Sequence, residues 1–168
     1  VSAAPLAGPV SFVFDVAGRP KPKGSTKSFA FRRVNGKLGT RTTNDNPGTK
    51  GWQALVEHAA SRVRPAAPLS GPVHVEVEFR FERPKSHRTK KGDLKAHAPL
   101  YPTSKRTTGD LDKLLRSTFD ALGDAGLFGD DAQVVSTRAT KDYTDPLEAE
   151  GARIKVTEVT APQRFNVR

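Results

Sequence analysis

The chain has no cysteine and no methionine, and only one tryptophan and two tyrosines among 168 residues. Without cysteine there are no disulfides and no thiolate metal sites, which fits a reducing compartment, the cytoplasm. Methionine is missing at position 1 too, which fits initiator removal, a non-AUG start read literally or a trimmed terminus alike. No apolar run is long enough to span a membrane, and the start lacks the charged–apolar–small order of a secretory leader. His58 has no second His or Cys at ligand spacing, so zinc is not expected. Phosphate-loop and dinucleotide fingerprints, internal repeats and heptads are all absent. Acid is scarce as well, with 18 Asp and Glu against 28 Lys and Arg and a net charge of +10.

A pI near 10.2 calls for an anionic partner. Nucleic acid is the default, through phosphate neutralisation and counterion release. A membrane surface fits less well, because no basic helix carries a strong apolar face.

The few acids concentrate in residues 108–133, T-G-D-L-D-K-L-L-R-S-T-F-D-A-L-G-D-A-G-L-F-G-D-D-A-Q. Leu111, Leu114, Leu115, Thr118, Phe119 and Leu122 recur every three or four residues and predict an amphipathic helix. Asp110 stands at the N-cap position, and Gly126 suits a left-handed end. Asp112 and Arg116, four apart, are in reach of each other, with Asp120 one turn on. A second acidic pair, Asp130 and Asp131, follows a glycine-containing turn and leads into a strand over 132–141. An acid at a helix start is commonly a cap, and Gly-Asp-Asp is commonly a turn. Both pairs together, in a cationic chain, point to a divalent metal working on a polyanion. Asp110 and Asp112 share a side only if the chain enters the helix in extended form.

The rest reads as short elements in one domain. Residues 1–9 and 160–168 are expected to be loose tails. A strand over 10–16 leads into the rigid basic turn 18–24, whose Lys21 and Lys23 read equally as phosphate contacts or solvated charges. Strands at 28–34 and 38–42 suit a hairpin around Asn35-Gly36, and a polar loop follows at 44–51. A helix is expected at 52–63, with Trp52 as a core or interface anchor, and a Pro-rich connector at 65–72. Alternation over 73–81 makes the clearest strand: Val73, Val75, Val77, Phe79 and Phe81 on one side, His74, Glu76, Glu78 and Arg80 on the other. That polar side reads as solvated or dimer-facing rather than as a ligand set. Residues 82–108 form a long basic loop, expected to be irregular and to order on DNA, with Lys105 and Arg106 near its end and Tyr101 placed to stack on a base. A last strand over 152–159 is expected to pair with its predecessor.

D-L-D-K-L-L-R, F-D-A-L and A-G-L-F-G-D-D-A-Q-V-V resemble the signature of the RusA family of Holliday junction resolvases, over roughly residues 106–141. The resemblance implies a small, magnesium-dependent, dimeric endonuclease of phages and prophages. By position, the family's catalytic acids fall on Asp110, Asp112 and Asp131. Its motif lysine falls on Arg116, and Lys113 stands where its best-known members have Asn. Lys141 falls on a basic position of the pattern. Arginine stabilises phosphate charge but gives up no proton at ordinary pH.

The expectation is therefore a single α+β domain over 1–168, RusA-like, with a mixed β-sheet packed by two main helices, acting as a homodimer. Asp110, Asp112 and Asp131 would hold Mg²⁺, with Mn²⁺ able to substitute. Arg116 would stabilise the transition state. Lys21, Lys23, Lys105, Arg106, Lys113 and Lys141 would contact DNA. The substrate would be the four-way junction, cut by paired symmetric nicks in recombination and repair, in the bacterial cytoplasm. Two other readings stand beside this one: a non-catalytic basic DNA- or RNA-binding module, and a metal-dependent nuclease acting on another branched or RNA substrate.

Overall fold

The computed structural model describes residues 9–24, 26–44 and 46–160. Apart from Pro9 and Thr160, the expected tails lie outside them. Strict alternation makes β4 (Val73–Phe81) the centre of the fold. Its Val73, Val75, Phe79 and Phe81 are fully buried, whereas Glu78 on the opposite face is exposed. β4 lies inside a four-stranded sheet of order β1-β6-β4-β5, with β1 at Ser11–Ala17, β5 at Val134–Tyr143 and β6 at Gly151–Glu158. β1 pairs antiparallel with β6, and β6 antiparallel with β4. β5 pairs parallel with β4.

The last strand thus differs from expectation: β6 pairs with β1 and β4, not with β5. The reason lies in burial. β6 is buried at Ala152, Ile154 and Val156 and needs a neighbour on each side, whereas no residue of β5 is fully buried, as suits an edge strand. A parallel β4–β5 pair also requires a long crossover, which the loop after β4 and the motif helix provide.

α1 (Thr49–Ser61) and α3 (Leu111–Asp124) pack together on the apolar face of this sheet. Trp52, Val56 and Ala60 of α1 meet Leu114, Ala121 and Leu122 of α3 over Val75, Val77 and Phe79. Trp52 is the core anchor. Its ring lies 6.5 Å from that of Phe79, and its Nε1–H donates to Thr118 Oγ1 at 3.3 Å. Truncating so large a buried ring costs about 3–5 kcal/mol. Gly126, at φ +79°, ends α3 in the left-handed region.

β2 (Thr26–Arg32) and β3 (Leu38–Asn44) form a separate two-stranded ribbon, closed by the expected Asn35-Gly36 turn. The 82–108 segment is irregular as expected, but it folds on itself. Arg83 lies 4.1 Å over the Tyr143 ring and donates to Pro99 O, Lys95 Nζ donates to Ser86 O, and Arg88 bridges to Leu94. Its end winds into the short helix α2 (Lys105–Thr108). Among the described residues no helix is long and apolar enough to cross a membrane.

Candidate metal and DNA site

The approach to α3 is built by a glycine. Gly109 adopts φ +76°, ψ 178°, and a Cβ there would meet Pro22 Cγ at 2.6 Å. The basic turn 18–24 therefore lies directly over the helix start, held by the Lys23 N–H donating to Lys113 O at 2.9 Å. Lys141 Nζ donates to Gly109 O at 2.8 Å and fixes the same peptide from the β5 side. Asp110 follows in extended form, at φ −82°, ψ 141°, but the helix begins at Leu111, so the extended path expected to set Asp110 and Asp112 on one side does not run on to Asp112. Asp110 occupies the N-cap position without making a side-chain cap bond, so its carboxylate is not committed to the backbone. Lys113 Nζ stands 3.8 Å away. Asp112 is exposed in the first turn. Asp110 lines a hollow of about 350 Å³ with Lys23, Asn46, Lys105 and Lys113.

A second hollow, of about 500 Å³, gathers four acids: Asp120 and Asp124 from α3, Asp130 and Asp131 from the turn before β5. Asp130 is committed to structure, since its Oδ1 accepts the Ala132 N–H at 2.7 Å. Gln133 completes that capping box, accepting the N–H groups of Gly129 and Asp130 while donating to Leu69 O and Gly71 O. Asp131 is thereby held with its carboxyl group on the hollow. Its pKa is raised above the ordinary aspartate value, first by partial burial and then by the charges of Asp120 and Asp130; Lys23 opposes the rise. Asp120 accepts from Lys23 Nζ at 2.6 Å and Gln53 Nε2 at 3.3 Å.

The acids thus stand in two groups joined by Lys23, which lines the first hollow and pairs in the second. Asp110 and Asp112 lie at the start of α3. Asp131 lies beside its later half, where Asp120 is eight residues from Asp112, about 12 Å of helix. Among the described residues no three carboxylate or histidine groups stand close enough to share one ion. Magnesium asks for less: oxygen ligands, commonly one or two carboxylates, with water in the remaining positions. The uncommitted Asp110 and the like-charge crowding at Asp131 fit such an ion, because a divalent cation relieves that crowding.

Arg116 is exposed on the same helix and ion-pairs with neither Asp112 nor Asp120. Lys105 and Arg106 are exposed on α2. Lys21 runs its stem past Gly48, where a Cβ would meet it at 3.1 Å. Sequence reasoning gave Asp120 as a residue orienting Arg116 or Lys113, or as a solvated helix residue, whereas it accepts from Lys23 and Gln53, and it missed Gln53 and Gln133 as parts of the site. Two signals were present: the four-residue spacing of Asp112, Arg116, Asp120 and Asp124 along one helix face, and the D-x-x-Q capping box at Asp130.

A family model described as endodeoxyribonuclease RusA matches residues 18–157 of the chain. The uncharacterized protein YqaN of Bacillus subtilis (strain 168) is 31% identical over 154 residues, covering 88% of this chain and 96% of that protein.

Proposed function

This chain belongs to the RusA family of endodeoxyribonucleases, and we propose that it is a magnesium-dependent, structure-selective nuclease that resolves Holliday junctions by paired symmetric nicks. The observation that carries this is Asp131. Its carboxyl lines one hollow with Asp120, Asp124 and Asp130, and its pKa is raised first by partial burial and then by those neighbouring charges, a gathering of acids that suits a cation in a chain of net charge +10. Asp110, Asp112 and Asp131 are the residues proposed to hold magnesium, Asp110 and Asp112 at the start of α3 and Asp131 in the separate hollow beside its later half, rather than all three around one ion. When bound, the ion supplies Lewis-acid stabilisation and a water of lowered pKa.

The chain's own side chains do the rest. Arg116, exposed and without an acidic partner in the described residues, neutralises charge building on the phosphoryl oxygens as water displaces the leaving oxygen. Lys141 holds the Gly109 peptide and with it the path of the chain into Asp110. Lys105, Arg106, Lys113 and Lys21 meet the DNA backbone around the first hollow.

Paired nicks need two sites in symmetric relation, and we propose that a homodimer supplies them. The uncovered face of the sheet supports this. There the β6 cations Arg153 and Lys155 lie beside the β4 acids Glu78 and Glu76, with Lys155 Nζ 3.0 Å from Glu76. Arg138 of β5 stands beside Glu76 on the same face, and a two-fold axis along the strands sets the β6 cations over the partner's β4 acids, which suits a second copy. The proposed place of action is the bacterial cytoplasm.

Asp112→Asn and Asp131→Asn test the site. Each is expected to abolish junction cleavage and to retain junction binding. Full cleavage by either variant at matched Mg²⁺ removes that acid from the catalytic set.

A further inference from the structure

We propose that the β2–β3 ribbon is a DNA-binding arm that lies along a double-helical arm of the substrate, with Arg32, Arg33 and Lys37 on its phosphates; this rests on the nuclease reading above. The first reason is that the ribbon has no evident purpose within the fold. Its strands are seven residues each, about 24 Å long. They form a sheet of their own, and among the residues of the two strands whose side chains are described none belongs to the hydrophobic core. From Phe31 to Leu38 every residue is exposed. An isolated two-stranded ribbon is marginal in water, so the ribbon becomes intelligible when a partner lies against it.

The second reason is charge. Between Asp15 and Asp45 the sequence has no acid and eight Lys and Arg. The cations at the ribbon's base are already matched, Arg19 by Glu150 at 2.7 Å and Lys23 by Asp120 at 2.6 Å. Among the described residues Arg32, Arg33 and Lys37 have no acidic partner. Unmatched cations on a narrow ribbon complement a polyanion, and the major groove of B-DNA, about 12 Å wide, admits a two-stranded ribbon.

The third reason is placement. The tip is firmly built: Arg33 N–H donates to Lys37 O and Gly36 N–H to Arg33 O, each at 2.8 Å, with Gly36 at φ +76°. At the base, Asn46 Nδ2 and Thr49 Oγ1 both donate to Pro22 O at 2.9 Å, tying the incoming and outgoing chain together. Gly24 and Asn46, at the two ends of the ribbon, both line the hollow that holds Asp110. A duplex gripped by the ribbon is thus delivered to that hollow.

The test is the triple variant Arg32→Gln/Arg33→Gln/Lys37→Gln, titrated with a fluorescent four-way junction between 50 and 200 mM salt, without metal so that no cleavage occurs. Each lost phosphate contact lowers the slope of log K against log salt by about 0.9. The expected result is a slope smaller by about 2–3 and an affinity at least 10-fold weaker at the low-salt end. The loss should be equal on two junctions of unrelated sequence, because phosphate contacts carry no sequence information. A wild-type protein that binds, with a variant matching it in slope and affinity, overturns the arm. A loss confined to one sequence contradicts backbone contact. A wild-type protein that binds no junction overturns the nuclease reading, and the arm falls with it.

Discussion

Lys23 Nζ and Asp120 Oδ2 lie 2.6 Å apart, a bond across 97 positions that ties the basic turn after β1 to the middle of the motif helix. The same lysine opposes the upward shift of Asp131. It is a resident cation among acids that we propose serve a divalent one.

Lys23→Gln should therefore act on both. The pair is only partly buried, so its loss should cost about 0.5–1 kcal/mol, read from urea unfolding. Asp131, deprived of its opposing cation, should hold its proton to higher pH. The acid limb of the cleavage profile should then move upward, and at pH values above that limb less Mg²⁺ should be needed for half-maximal rate, because a cation competing for the same acids is gone.

Asp131 also shapes stability against pH. Its folded pKa is raised above 3.8, so the folded chain binds that proton more tightly than the unfolded chain. The stabilisation is present below 3.8 and is lost as pH rises through the folded value. Asp131→Asn removes this loss, so at neutral pH without metal the variant should melt at a higher temperature than wild type. Glu76 has the opposite sign. Its pKa is lowered, first by the hydrogen bond from Lys155, and its contribution is present above 4.5 and lost as pH falls through the folded value. Melting temperature from pH 3 to 7 for wild type and Asp131→Asn checks the sign.

Gly109→Ala should damage the approach to Asp110. The backbone is left-handed there and Pro22 occupies the space a Cβ needs. We expect a loss of about 1–3 kcal/mol in stability. Cleavage should fall on the order of 10²-fold through misplacement of Asp110. Lys141→Ala, which releases Gly109 O, should lower cleavage while leaving junction affinity nearly unchanged. A pure loss of affinity would make Lys141 a phosphate contact instead.

Gln133→Ala removes four hydrogen bonds that lock the turn carrying Asp131 to residues 69–71. The expected cost is about 1–3 kcal/mol in urea unfolding, from the backbone groups left unpaired. Gln133→Glu should be no better, since it keeps the acceptor but sets a carboxylate against two carbonyl oxygens.

Much of the fold was legible where periodicity is strong. The alternation of Val73–Phe81 and the stripe from Leu111 to Leu122 both appear as read, and Asn35-Gly36 closes the ribbon. Strand order was not legible, because pairing depends on which strands are buried on both sides and only tertiary packing decides that for β6. Within the site, the motif drew attention to Asp110, Asp112 and Asp131. The long-range partners Lys23 and Gln53 of Asp120 were invisible, since nothing local links a turn after β1 or a face of α1 to the middle of α3. Asp130 and Asp131 look alike in sequence. Both line the hollow, but the structure separates them by commitment: Asp130 accepts the Ala132 N–H and caps the turn, whereas Asp131 makes no such cap bond.

The most direct test of the central claim is to map cleavage of a synthetic four-way DNA junction in Mg²⁺, with the matched duplex as control. The account predicts paired nicks at symmetric positions on opposing strands, none on the duplex, and none after chelation of the metal. Junction binding without cleavage in either Mg²⁺ or Mn²⁺ would contradict it and leave a DNA-binding module.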